Sequence, residues 1–148
     1  MLRSEIGKSG YKNADYTDEY LVMVISAMKE RVSFVKEYLT KSPYFFSAPD
    51  QYDEKVIQKR WKEDSVDLLK KLSDRIKSLS NQSKEDYEIA LNDTASESGA
   101  GIGKIIHPLR LAVSGMGEGP GVFDILFVIG KEETLRRINT AIQKIKIN

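Results

Sequence analysis

Apolar side chains recur at three- and four-residue steps along nearly the whole chain. Leu21, Val24, Ile25, Met28, Val32, Val35 and Leu39 set one stripe on a helix from about Asp18 to Leu39, with Thr17 or Asp18 as its cap. Tyr44-Phe45-Phe46, bracketed by Pro43 and Pro49, reads as an aromatic connector packed on a core rather than as a strand. Asp50 is the expected cap of a short helix ending near Trp61. Val66, Leu69, Leu72, Ile76 and Leu79 mark the next helix. Ser83-Lys84-Glu85-Asp86 is close to a capping box and opens a helix carrying Tyr87, Ala90, Leu91 and Thr94, which Gly99 should end. No segment alternates apolar and polar positions between turn residues, so the pattern predicts an all-α fold without a sheet.

Proline and glycine punctuate the remainder. Pro108 falls inside the periodic stretch Ile102 to Ser114 and predicts a kink or a fresh start there, because its ring forbids one helical hydrogen bond. Pro120 suits the first position of the following helix, and Gly130 suits a left-handed cap at its end. Leu135, Ile138, Ala141, Ile142 and Ile145 form the last amphipathic stripe.

Composition narrows the function classes. A chain of 148 residues buries roughly two-thirds of its unfolded surface and should fold alone. Its longest apolar run, Val122 to Ile129, contains Asp124 and is too short to span a bilayer. No cysteine is present, and Arg3, Glu5 and Lys8 interrupt any signal-peptide core, so the cytoplasm is the expected compartment and no membrane partner is expected. A net charge of +1 argues against nonspecific coating of nucleic acid. Any RNA contact must be local. Gly99 to Gly117 does hold Lys104 and Arg110 without an acid, and five cations follow from Lys131 onward against Glu132 and Glu133, although a solvated helix face would look the same.

Catalytic chemistry is hard to place. His107 is the sole histidine, which excludes a zinc site or a Cys-His pair and suits a structural or capping role beside Pro108. Gly99-Ala100-Gly101-Ile102-Gly103-Lys104 has the wrong glycine spacing for a phosphate loop, and Ile105 stands where Ser or Thr would bind magnesium. Gly115-Met116-Gly117-Glu118-Gly119 follows no strand, so it is not a dinucleotide fingerprint. Glu85-Asp86 and Glu132-Glu133 sit on expected first helical turns, where they complement the helix dipole. No catalytic residue and no metal ligand is expected.

Several motifs together carry more than any one alone. Glu30-Arg31, Pro43-Tyr44-Phe45-Phe46, Pro108-Leu109-Arg110, Ser114-Gly115, Gly119-Pro120, Ile129-Gly130-Lys131 and Arg137-Ile138 occur in order and at compatible spacing. From Tyr20 to Ile145 the chain resembles the carboxy-terminal anticodon-binding region of bacterial glutamyl-tRNA synthetases, a multihelical cage of two small helical subdomains. The resemblance implies that Arg31 senses the third anticodon base, a cytosine, and helps reject glutamine tRNA. It implies that Arg110 and the turn Gly119, Pro120, Gly121 and Val122 hold the first two bases. A guanidinium can donate to a base edge or stack on it, and glycines beside a fixed proline expose backbone to splayed bases.

On this resemblance the partners are glutamate-specific tRNA and the catalytic domain of the same enzyme, which is expected to be a monomer. ATP and magnesium would belong to that catalytic domain, since this chain has neither of the family's nucleotide-binding motifs, and no cofactor is expected here. The chain reads as a fragment inactive by itself. Residues 1–16 are expected to be a linker or frayed end, 17–98 a first helical part and 99–148 the part bearing the anticodon motif. Gly119 stands where many relatives carry Ser or Thr, so a hydroxyl contact to a base must be replaced by backbone or water. Two rival readings are a free-standing helical adaptor, using Phe123, Phe127 and Ile129 as a groove for a protein partner, and a small independent enzyme.

Overall fold

The computed structural model describes residues 2, 3, 6, 16–28 and 42–145. Among these residues the regular elements are all helical: α1 (Asp18–Met28), a 3-10 turn (Pro43–Phe45), α2 (Glu54–Arg60), α3 (Ser65–Lys77), α4 (Lys84–Ser98), α5 (Gly103–Ser114), α6 (Val122–Ile129) and α7 (Lys131–Lys144). The all-α expectation holds. The chain divides into two compact units, Met1–Ser47 and Ala48–Asn148. Gly99 joins two helices of one unit: α4 and α5 both pack on α3, and both touch α6.

In the first unit Thr17 caps α1, its Oγ1 accepting the Tyr20 N–H at 3.0 Å. Leu21, Val24 and Met28 are buried as the stripe predicts, but Ile25 is 38% exposed because the apolar arc is narrower than its spacing suggests. Val32, Val35 and Leu39 lie outside the described residues. The aromatic plug is a 3-10 turn with Tyr44, Phe45 and Phe46 buried, and the Tyr16 hydroxyl donates to the Phe46 carbonyl at 2.7 Å. Leu2, Arg3 and Ile6 are helical, with Leu2 and Ile6 buried, and Arg3 pairs with Asp18 at 2.6 Å.

The second unit is built around α3, α5 and α7. Leu68, Leu69, Leu72 and Ile76 of α3 meet Ile105, Leu109 and Ala112 of α5 and Ile138 and Ala141 of α7, all buried. α4 brings Tyr87, Ala90, Leu91 and Thr94 to the same core. Its start is the expected capping box: Ser83 Oγ accepts the Asp86 N–H at 3.2 Å and the Asp86 carboxylate accepts the Ser83 N–H at 3.1 Å. Gly99 closes it in a left-handed conformation.

Four local expectations are corrected. α2 is capped by Asp53, whose carboxylate accepts the Lys55 N–H at 2.9 Å, and not by Asp50, because the chain first has to pass Gly115. α5 runs through Pro108 without a fresh start; the ring removes only the bond to the Lys104 carbonyl and is itself buried. Pro120 precedes the cap of α6, Gly121, and is not its first residue. Gly130 has a positive φ of 86° but a ψ of 167°, a conformation essentially confined to glycine and outside the left-handed helical well, so it is not a left-handed cap; it ends α6 while starting α7.

Candidate nucleic-acid interface

The end of α5 organises one surface of the second unit. Gly115 has φ 76°, and a Cβ there would stand 2.7 Å from the Gln51 carbonyl oxygen and 3.0 Å from Pro49. Only glycine accepts both the dihedral and the close approach. The approach is used: the Asp53 N–H donates to the Gly115 carbonyl at 2.9 Å. Beside it Ser114 Oγ donates to the Arg110 carbonyl at 2.7 Å and accepts the Met116 N–H at 3.1 Å, which fixes the first residues of the loop.

Further along this loop lies the turn implied in anticodon binding. Arg110 Nη1 donates to the Pro120 carbonyl at 2.6 Å, so a half-buried guanidinium on α5 braces the turn that leads into α6. Pro120 is buried, Gly121 is exposed, and the Val122 side chain is in the core, leaving Val122 only its backbone to offer a ligand. The structure therefore brings Arg110, Gly119, Pro120, Gly121 and Val122 together. Arg31 lies outside the described residues.

Sequence reasoning placed the neighbouring helix but gave it no part in the site. α2 has no buried residue of its own; it is held at one end by the Asp53–Gly115 bond and at the other by the buried Trp61. Its charged side chains are thus free of core duty. Lys55, Lys59 and Arg60 line a groove of about 520 Å³ with His107 of α5 and the loop residues Met116 and Glu118. Burial first, then repulsion from Arg60, Arg110 and Lys59, pushes the His107 imidazole below its ordinary pKa of 6.5. The imidazole is therefore neutral at pH 7 within a positive surrounding. A helix with cations at 55 and 59, one turn apart, and no apolar stripe was the available signal.

Another groove, about 500 Å³ between α3 and α4, has a different character. Asp74, Asp93 and Glu97 crowd Arg75, which pairs with Glu97 and with Asp93 at 3.8 Å. The Arg75 guanidinium is thus already paired, and with Lys71 it faces three carboxylates in this groove. Of the apolar set proposed for a protein-binding groove, Phe123 and Ile129 are half-buried and only Phe127 stands out, at 42% exposure with Lys84 5.8 Å from its ring centre. That adaptor reading has no support here. Among the described residues no three acids or histidines gather as metal ligands, and no helix is long and apolar enough to cross a membrane.

Residues 3–142 match the family model described as an anticodon binding domain. The chain is 43% identical over 128 residues to the glutamate–tRNA ligase of Bacteroides thetaiotaomicron, covering 86% of this chain and 25% of that protein. The corresponding figures for the ligase of Chloroherpeton thalassium are 44%, 128 residues, 86% and 25%. A crystal structure of a glutamate tRNA ligase from Elizabethkingia meningosepticum superposes with a TM-score of 0.90 at 35% identity, over 98% of this chain and 28% of that one. The glutamate-tRNA synthetase structure from Elizabethkingia anophelis gives 0.83 at 35% identity, over 97% and 27%. The chain spans about a quarter of the length of the relatives it matches.

Proposed function

We propose, from the premise that the chain belongs to the anticodon binding domain family, that it reads the anticodon of glutamate tRNA for a glutamate–tRNA ligase. The observation that carries this reading is the Arg110 brace on the Pro120 carbonyl, which holds a glycine-flanked turn rigid beside a cationic groove. Sequence-specific RNA recognition favours splayed single-stranded bases that stack on side-chain planes and bond through their edges. A turn fixed before binding presents its backbone to such bases without an ordering cost at that moment.

In this reading Gly119, Pro120, Gly121 and the Val122 backbone accommodate the first two bases, and Arg110 positions the turn from below. Arg31 senses the third base and sets discrimination against glutamine tRNA. Glutamate activation, with its ATP and magnesium, takes place in a separate catalytic domain, and the assembled enzyme works as a cytoplasmic monomer. Arg31→Ala in such a ligase should lower discrimination at the third anticodon base by about 1–3 kcal/mol, the range for a base-specific contact. Charging efficiency on tRNAs differing only at that base measures it. Equal losses on both tRNAs would make Arg31 a residue that holds the loop without reading it.

A further inference from the structure

We propose that the groove walled by Lys59 and Arg60 of α2 and backed by His107 of α5 is a phosphodiester site, holding the RNA backbone while its bases reach the adjoining turn. The inference rests on the reading that this chain takes RNA. The groove and the turn share one loop: Met116 and Glu118 line the groove, and Gly119 opens the turn.

Arg60 gives the sharpest indication. Among the described residues Arg3, Arg75, Arg110, Arg136 and Arg137 each have an ion pair or a hydrogen bond, and Arg60 has neither. It is nevertheless half-buried. A guanidinium carries five donors in a planar fork suited to phosphate, and partial removal from water without an acceptor favours an anionic partner. Its place in the last turn of α2 complements the helix dipole, but that does not explain why it converges with Lys59 and His107.

The remaining charges of the groove are Lys55, Asp53 and Glu118, with Arg110 close enough to act on His107. The Asp53 carboxylate is occupied by the cap of α2. Glu118 is exposed on the loop and opposes an anion, so it makes a useful control. An acidic peptide could satisfy the same cations; the shared loop with a turn suited to bases favours RNA.

The test uses this chain with an anticodon stem–loop hairpin of glutamate tRNA and an anticodon-swapped hairpin, by fluorescence anisotropy over a range of salt. Arg60→Gln and Lys59→Gln should each weaken binding about threefold to fivefold, equally on both hairpins, as expected for one exposed ionic contact. Each should flatten the slope of log affinity against log salt by about 0.7 if a single-strand phosphate is lost. Glu118→Gln should tighten binding.

His107 supplies an independent readout that needs no variant, because it is the only histidine and its NMR titration is unambiguous. Its pKa should rise when the hairpin binds, since phosphate offsets Arg60 and Lys59. Binding that still discriminates the hairpins, with both variants unchanged and His107 unmoved, overturns the groove assignment and leaves the anticodon reading standing. Failure of the unmodified chain to bind either hairpin overturns both. Displacement of His107 by a glutamate-rich peptide but not by RNA overturns the proposal in favour of a protein partner.

Discussion

Gly115 and Arg110 do different work only five residues apart, and their substitutions should separate. Gly115→Ala forces an L side chain to φ 76° and into the Gln51 carbonyl, so it should cost at least about 1–3 kcal/mol in urea unfolding. Arg110→Ala removes the charge-assisted bond to the Pro120 carbonyl and should cost about 1.5–3 kcal/mol, while hairpin discrimination falls because that carbonyl is no longer held. A large stability loss with discrimination intact would make Arg110 a core residue only. His107 adds a pH dependence. Its folded pKa lies below 6.5, so the unfolded chain binds a proton first as pH falls. Stability should drop as pH passes down through about 6.5 and level off below the folded value. His107→Gln should abolish that slope in urea midpoints measured between about pH 5 and 8; an unchanged slope would assign it to other groups.

Elements whose signals are local were legible in the sequence. The Ser83–Asp86 capping box and the Gly99 stop depend on residues within one turn, and both appear where the pattern put them. Ser83→Ala should cost about 1 kcal/mol by thermal or urea unfolding. Bonds from the Ser83 hydroxyl and backbone hold the Asp86 carboxyl below its ordinary pKa, so the cap contributes fully above the carboxylate range and is lost as pH falls through it. The misplaced boundaries have a tertiary cause. Asp50 looks as good a cap as Asp53 until Gly115 ties down the Asp53 N–H, sixty-two residues away in sequence. Pro120 looks like a first helical residue until its carbonyl is claimed by Arg110. The groove was invisible for the same reason, since Lys59, Arg60 and His107 converge only when α2 is pinned to the loop.

At the scale of the molecule, the division at Ser47/Ala48 puts the braced turn, the groove and a complete core within residues 48–148. That unit alone should fold cooperatively, with helical circular dichroism and one thermal transition; a broad, uncooperative melt would show that its core is incomplete. The family was legible in the order of short motifs, whereas the roles of single residues were not, because motif order says nothing about which side chains brace a turn and which face a ligand. The most direct test of anticodon reading is the affinity of the full chain for two stem–loop hairpins that differ only in the anticodon bases. The account predicts tighter binding of the glutamate hairpin and a weaker preference in Arg110→Ala. Equal affinity of the unmodified chain for both hairpins would contradict it.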